Sequence, residues 1–579
     1  MRIPAPPRAV PVTVAGCHGW FHPAGGLPLG ASGQPLERGI VLVGPEGHEA
    51  LLAHRGLRDL AMRCAALGLP TLRMDHPGAG DSPGDRFRLE VARGAILGAM
   101  DWMRGEAGCA AVALAGLRLG ALLAAQAAAR RPGQVAALLL LAPVAQGRLH
   151  RRQMLLAAAV GGGRDDRAEG IEVAGHAWPA EELDDLASGD LAAALCRAAV
   201  PRVLVMDREA GAARRVAPTV AFEGFEGLDR FLIPAHEARL PVAAFARAGA
   251  WLAEGAGPAL ATPVVAEAEP RPVGGGATER VLRFGPGGSL TGVLCSPAPA
   301  LARRTAALLL NTGGNSHVGV GRFGVRLARR LAAAGVPSLR MDLPGLGDSD
   351  AAEGADPAMP PDPFGEGLLP AARAGRDALA AEGASRCLAI GLCSGAHVAL
   401  RLALQDLRID GLALFNLPAF DRSQGGAPAL DGGPPPGEAP WLRRPRMAWR
   451  RLKAEADRGL AAIGIETGLD APAGWMRRLA ARRVHLLLGY SRGDRGLREL
   501  RAHFGRRGRR LAAFPLVRCR VLDGTEHTLA PLAMQAEAAA LVEEMALRLD
   551  SAAAPVGAGT PHRDRSAAGS LSDLALPAR

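Results

Sequence analysis

Residues 386 to 403 read RCLAIGLCSGAHVALRLA, and the way this stretch breaks decides the fold. The apolar run up to Leu392 has the length of a buried strand, and the alanine- and leucine-rich run after Ser394 that of a helix. Between them, Gly391-Leu392-Cys393-Ser394-Gly395 predicts a sharp strand-to-helix turn of the form G-x-Nuc-x-G. The apex residue of such a turn is held in a strained conformation, so the positions two before and two after it must lack bulk. Glycine meets that demand around Cys393, whereas centring the turn on Ser394 would put Leu392 and Ala396 there. The start of the following helix offers unpaired amides and a partial positive charge, which favour a thiolate. A free thiol with a pKa near 8.5 is only about 3% ionised at neutral pH, so a base is still required. The competing reading is a buried structural cysteine.

Working outward, the sequence contains the same unit twice. LRMDHPGAGDS at 72–82 returns as LRMDLPGLGDS at 339–349, each preceded by an apolar strand, a glycine-containing loop and a helical stretch. Strand, loop, helix, strand in that order predicts parallel-sheet units with crossover helices. A second elbow-like stretch, AVALAGLRLG at 111–120, falls in the first unit, followed by strands near 135–141 and 202–206 and an irregular insertion at about 146–198. Residues 254–278 show neither strand nor helix period and read as a linker. VLRFGPGGSLTGVLCSPA predicts a hairpin opening the second unit. The expected organisation is therefore a first domain at 1–253, a linker at 254–278, a second domain at 279–550 and a disordered tail at 551–579.

At 579 residues with 49% apolar content, the chain has material for two full cores. Its eight cysteines contain no CxxC pair, so neither a disulfide framework nor a zinc site is expected. With no apolar signal core and no run long enough to span a bilayer, the expectation is a cytoplasmic protein. The net charge of +11 comes almost wholly from arginine, with Lys453 the single lysine, and only one tyrosine is present. That pattern, in a chain rich in alanine, glycine and proline, looks like codon bias, and nucleic acid is not the expected partner.

The two elbows, the DxPGxGDS-type stretches and the late acid and histidine loops together resemble the α/β-hydrolase superfamily, once in each half. The second half resembles serine-aminopeptidase-type and lipase-like members, with cysteine where serine is usual, as in dienelactone-hydrolase-like enzymes. The resemblance implies two tandem α/β-hydrolase domains, each a mostly parallel sheet flanked by helices and carrying a cap insertion. Nucleophile, acid and histidine follow in that order along the chain. It places Cys393 as nucleophile, Asp494 as acid and His527 as base. The oxyanion hole would draw on the amides of Ser394 and of Thr312 or Gly313. The competing readings are a helix N-cap for Asp494 and a surface histidine for His527.

The first half departs at the decisive position. Arg118 stands at the apex of Gly116-Leu117-Arg118-Leu119-Gly120, and a guanidinium cannot form an acyl intermediate. Asp207 and His236 hold the acid and histidine places, and Gly44-Pro45-Glu46-Gly47 the oxyanion loop, where proline supplies no amide. This half reads as a degenerate, non-catalytic copy. For Arg118 two roles are open: an ion pair with Asp207 or Glu46, or a carboxylate or phosphate site.

The implied activity is hydrolysis or acyl transfer on an ester or thioester through a covalent acyl-enzyme. No metal or cofactor is implied. A cap between Phe415 and Arg483 carries Trp441, Leu442, Met447, Trp449, Ile463, Ile465, Trp475 and Met476 among arginines. It could cover an acyl group on CoA or a phosphopantetheine carrier, or could simply be packing. The alternative is a non-catalytic scaffold or anion- and acyl-binding protein. The oligomeric state is not legible.

Overall fold

A computed structural model describes residues 8–25, 37–160, 165–166, 169–208, 220–258, 265–356, 358–365, 367–420 and 472–551. The first half forms β1 (Val10–Val14), β2 (Cys17–His22), β3 (Arg38–Val43), β4 (Thr71–Met74), β5 (Ala111–Leu117) and β6 (Leu138–Leu141). After β7 (Asp165–Asp166), β8 (Gly170–Val173) and β9 (His176–Pro179), which make a small separate sheet, come β10 (Val203–Asp207) and β11 (Ala221–Gly224). The second half supplies β12 (Arg271–Gly274), β13 (Ala277–Phe284), β14 (Leu290–Ser296), β15 (Thr305–Leu309), β16 (Ser338–Asp342), β17 (Arg386–Leu392), β18 (Gly411–Phe415), β19 (His485–Ser491) and β20 (Val517–Leu522).

The strand orders are 1-2-4-3-5-6-10-11 and 12-13-14-16-15-17-18-19-20. Apart from the extra edge strand β12, each strand of the second sheet takes the place of its counterpart in the first. The strands at the N-terminal edges pair antiparallel, and every pair from β4–β3 and β16–β15 onward is parallel. These are two tandem α/β-hydrolase folds. Their central strands are buried on both faces, as parallel strands under helices must be. In β17, Cys387 and Ala389 pack to one side while Leu388, Ile390 and Leu392 pack to the other.

Two expectations need correction. The insertion at 146–198 is not irregular. It contains helices Gly147–Val160, Ala180–Ser188 and Leu191–Ala198 and the β7–β9 sheet, and so forms a cap. The stretch 254–278 is not free of strand, because β12 pairs antiparallel with β13 in the second sheet. The cap residues 421–471, including Trp441, Leu442, Met447, Trp449, Ile463 and Ile465, lie outside the described residues, as does the tail from 552. Trp475 and Met476 are buried on helix Pro472–Ala481.

The duplicated LRMD…PGxGDS loops face one another and form the junction between the halves. Arg73 Nη2 donates to Asp348 Oδ1 at 2.5 Å, and its counterpart Arg340 pairs with Asp81, the counterpart of Asp348, at 3.0 Å. This reciprocity is that of a two-fold interface, here made within one chain. Arg340 is fully buried and also pairs with Glu279 at 3.1 Å, which in turn holds Arg271 at 3.0 Å and Arg329 at 2.9 Å. Arg322 donates to the carbonyls of Gly78, Gly80, Ser82 and Gly84, gathering the first half's loop around one guanidinium.

Candidate active site

At the end of β17 the chain turns at Cys393, with φ 53° and ψ −114°, and enters helix Ser394–Gln405. The left-handed φ is the strained apex expected of the elbow. A Cβ on Gly391 would lie 2.2 Å from the Gly395 backbone, and one on Gly395 would lie 2.4 Å from Asn311 O. Both flanking glycines are therefore sterically obligatory.

Three loops meet at that apex. After β19, Asp494 caps helix Arg495–Phe504, accepting from Gly496 N at 2.7 Å, and its other oxygen meets His527 Nδ1 at 2.5 Å. The cap and the histidine partnership thus coexist in one carboxylate. Cys393 lies near enough to His527 to contribute to the raising of its imidazole. Cys393, His527 and Asp494 are thus brought together, with Cys393 partly exposed and Asp494 buried. The bond from Asp494, then the nearby Cys393, pushes the imidazole up to about 10 despite its partial burial. Burial pushes the Asp494 carboxyl up, but the His527 bond and the Gly496 amide outweigh it and leave it below the usual range. Elsewhere burial pushes Cys17 and Cys519 to about 11, and Cys64, Cys109, Cys295 and Cys387 to about 12.

Sequence reasoning missed the residues that join these loops. Asn416, buried at φ 45° just past β18, donates to Ser491 Oγ at 2.8 Å and to His527 O at 2.7 Å, and accepts from Ser491 N at 2.7 Å. It ties the acid loop to the histidine loop. An asparagine ending an apolar strand, where a left-handed residue is tolerated, was the available signal.

The loop expected to supply an oxyanion donor runs from Asn311 to His317. The Gly313 amide, one of the expected donors, is spent on Ser394 Oγ at 2.8 Å. For the Thr312 amide no acceptor is found among the described residues, which leaves it and the Ser394 amide as the candidate pair. The loop is anchored on buried Asp342, which accepts from Asn311 Nδ2 at 3.0 Å and from His317 N at 2.7 Å and meets His317 Nδ1 at 2.7 Å.

In the first half Arg118 has the same apex geometry, φ 56° and ψ −121°. Its partners are not the expected Asp207 or Glu46. Nε donates to Glu49 at 2.9 Å and Nη1 to Ala142 O at 3.1 Å. Burial, helped by Glu49, pushes Glu46 up to about 8, so at neutral pH it is protonated and offers no counter-charge. Asp207 accepts from its neighbour Arg208 N at 2.7 Å, and His236 lies 3.3 Å from Glu237. Arg118, Asp207 and His236 are not brought together as the Cys393 set is. The one grouping with metal-ligand character among the described residues is His18, Asp75 and Asp81, and Asp81 there is already engaged by His317 and Arg340.

No protein-family model matches the sequence, and no curated protein does. Among solved structures, the chain is similar to Est1E from Butyrivibrio proteoclasticus with bound ferulic acid (TM-score 0.31, 16% identity, 37% of this chain and 88% of that one). It is also similar to the thioesterase domain from the curacin biosynthetic pathway (0.28, 16%, 47% and 99%) and to a Pyrococcus furiosus esterase (0.30, 18%, 45% and 86%). Likenesses this slight carry no weight for function, and the fold stands on strand order and elbow geometry.

Proposed function

We propose that the second half is an ester or thioester hydrolase or acyltransferase that works through a covalent acyl-enzyme on Cys393. The observation that supports this best is the convergence of Cys393, at a strained elbow, with an imidazole that is itself hydrogen-bonded to the Asp494 carboxylate. With Nδ1 given to Asp494, Nε2 is the nitrogen left for the thiol's proton, and the ring, raised to about 10, holds that proton as an imidazolium when Sγ attacks. Sγ attacks the acyl carbon, and the oxyanion is met by the Ser394 and Thr312 amides. Collapse expels the alcohol or thiol, which recovers the proton from His527. Water or another acceptor, deprotonated by the same ring, then releases the acyl group.

A thiol is a strong nucleophile and a good leaving group, which suits activated acyl donors such as thioesters, lactones or labile esters over amides. A CoA- or phosphopantetheine-linked acyl group is the finer substrate proposal. The first half is proposed as a non-catalytic copy, because its apex guanidinium is committed to Glu49 and Ala142 O. No helix among the described residues is long and apolar enough to cross a membrane. The eight cysteines are free, which fits a reducing cytoplasm. Cys393→Ala is expected to abolish turnover of short p-nitrophenyl esters and acyl thioesters. Undiminished turnover by that variant would refute the proposal.

A further inference from the structure

The loop that faces the developing oxyanion is held from the opposite half of the molecule. Its two ends, Asn311 and His317, both hang on Asp342. The second ring nitrogen of His317 reaches Asp81 Oδ2 of the first half at 2.7 Å. With a carboxylate on each nitrogen the ring is held as an imidazolium, since only that form donates from both sides. Burial would keep it neutral, but Asp342 and Asp81 outweigh burial and hold it well above the ordinary histidine range.

Asp81 does not float. Its amide donates to Asp75 Oδ2 at 2.9 Å, its carboxylate faces Arg340, and Arg322 grips the carbonyls on either side of it. A second contact arrives from the first half's old histidine loop. A Cβ on Gly314 would lie 2.7 Å from Ala235 C and 3.0 Å from His236 N, so the turn that no longer serves a triad is packed directly against the oxyanion loop. The first half has only a partial counterpart. Its loop passes straight into helix Gly47–Ala66, and His54 of that helix lies 3.3 Å from Asp348 of the second half. The other ring nitrogen of His54 has no hydrogen-bond partner among the described residues, whereas His317 joins Asp81 to the aspartate that anchors its own loop.

We infer that Asp81 of the first half, acting through His317 and Asp342 and aided by the Ala235-His236 turn, is a positioning residue for the oxyanion loop of the second half. The degenerate half is then retained as a structural part of the working site. This rests on the acyl-transfer reading of Cys393.

The test uses the full chain carrying Asp81→Asn, His317→Gln or Gly314→Ala, assayed with p-nitrophenyl butyrate and with iodoacetamide. Alkylation by iodoacetamide forms a C–S bond and expels iodide without building an oxyanion, so it reports the thiol and its histidine alone. Misplacement by about 1 Å can cost on the order of 100-fold in rate. The expected result is a kcat reduced about tenfold or more with KM within about twofold, while Cys393 is alkylated at the wild-type rate. Asp81→Asn leaves Arg340 and His317 short of a counter-charge and could unfold the junction. Gly314→Ala changes no charge and keeps the test alive. Wild-type kcat in folded variants would overturn the inference, as would kcat and alkylation falling together. Cys393→Ala, run alongside, separates the two readings: if it retains turnover the acyl-enzyme reading fails, and if it is dead while the three variants are unaffected only the brace fails.

Discussion

Gly395→Ala and Gly120→Ala form a matched pair, because they place the same steric insult at the two elbows. At Gly395 the new Cβ would sit 2.4 Å from Asn311 O and 3.0 Å from Leu310 O, where real Cβ atoms stay beyond 3.0 Å. The neighbours are backbone, so the helix start and the oxyanion loop must part by about 0.6 Å or more. At Gly120 the Cβ would sit 2.3 Å from both Gly44 O and Val43 O, demanding a similar shift. Overpacking of this kind costs about 1–3 kcal/mol. For a cooperative unit of roughly 250 residues that is a drop in Tm of about 2–12 °C. Calorimetry should therefore show comparable destabilisation in both variants. Ester turnover should separate them: Gly395→Ala loses about 10- to 100-fold in kcat, since it moves the thiol against its oxyanion donors, whereas Gly120→Ala keeps wild-type kcat at temperatures where it is folded. Equal losses of kcat in the two variants, or full activity in Gly395→Ala, would refute the division of labour between the halves.

Arg118→Ala should leave ester turnover unchanged, measured as kcat/KM, since its guanidinium is tied to Glu49 and Ala142 O. Asp494→Asn removes the main cause of the raised His527 pKa, so the imidazole, titrated by NMR, should fall from about 10 toward the ordinary value near 6.5. The sign follows from linkage. A raised histidine contributes stability below pH about 6.5 that is lost as pH rises through its folded value. The native pair should therefore weaken on the alkaline side, and Asp494→Asn should abolish that limb. Arg340→Leu strips a fully buried partner from Asp81 and Glu279 and should destabilise the chain by about 3–5 kcal/mol in denaturant unfolding.

What was legible in the sequence was local. The elbow could be read at Cys393 because its demand for two small flanking residues is written within five positions, and the duplication because LRMD…GDS recurs almost unchanged. The partner of Arg118 could not be read. Chain order suggested Asp207 or Glu46, but burial neutralises Glu46, and Glu49, an early residue of helix Gly47–Ala66, takes the guanidinium instead. The repeated aspartates Asp81 and Asp348 were seen as motif, yet their role lies across the junction, where each answers the arginine of the other copy. Pairings of that span leave no trace in spacing. Nor do Asn416 or His317, whose partners are more than twenty residues away at the nearest.

The central claim is that an acyl group is carried on the sulfur of Cys393. Rapid quench of the full chain with a p-nitrophenyl ester or an acyl thioester, followed by mass spectrometry of the peptide spanning the second elbow, tests it directly. The expected result is one acyl adduct on Cys393 in the wild-type chain and none in Cys393→Ala. An adduct on Ser394, or turnover with no adduct on that peptide, would contradict it.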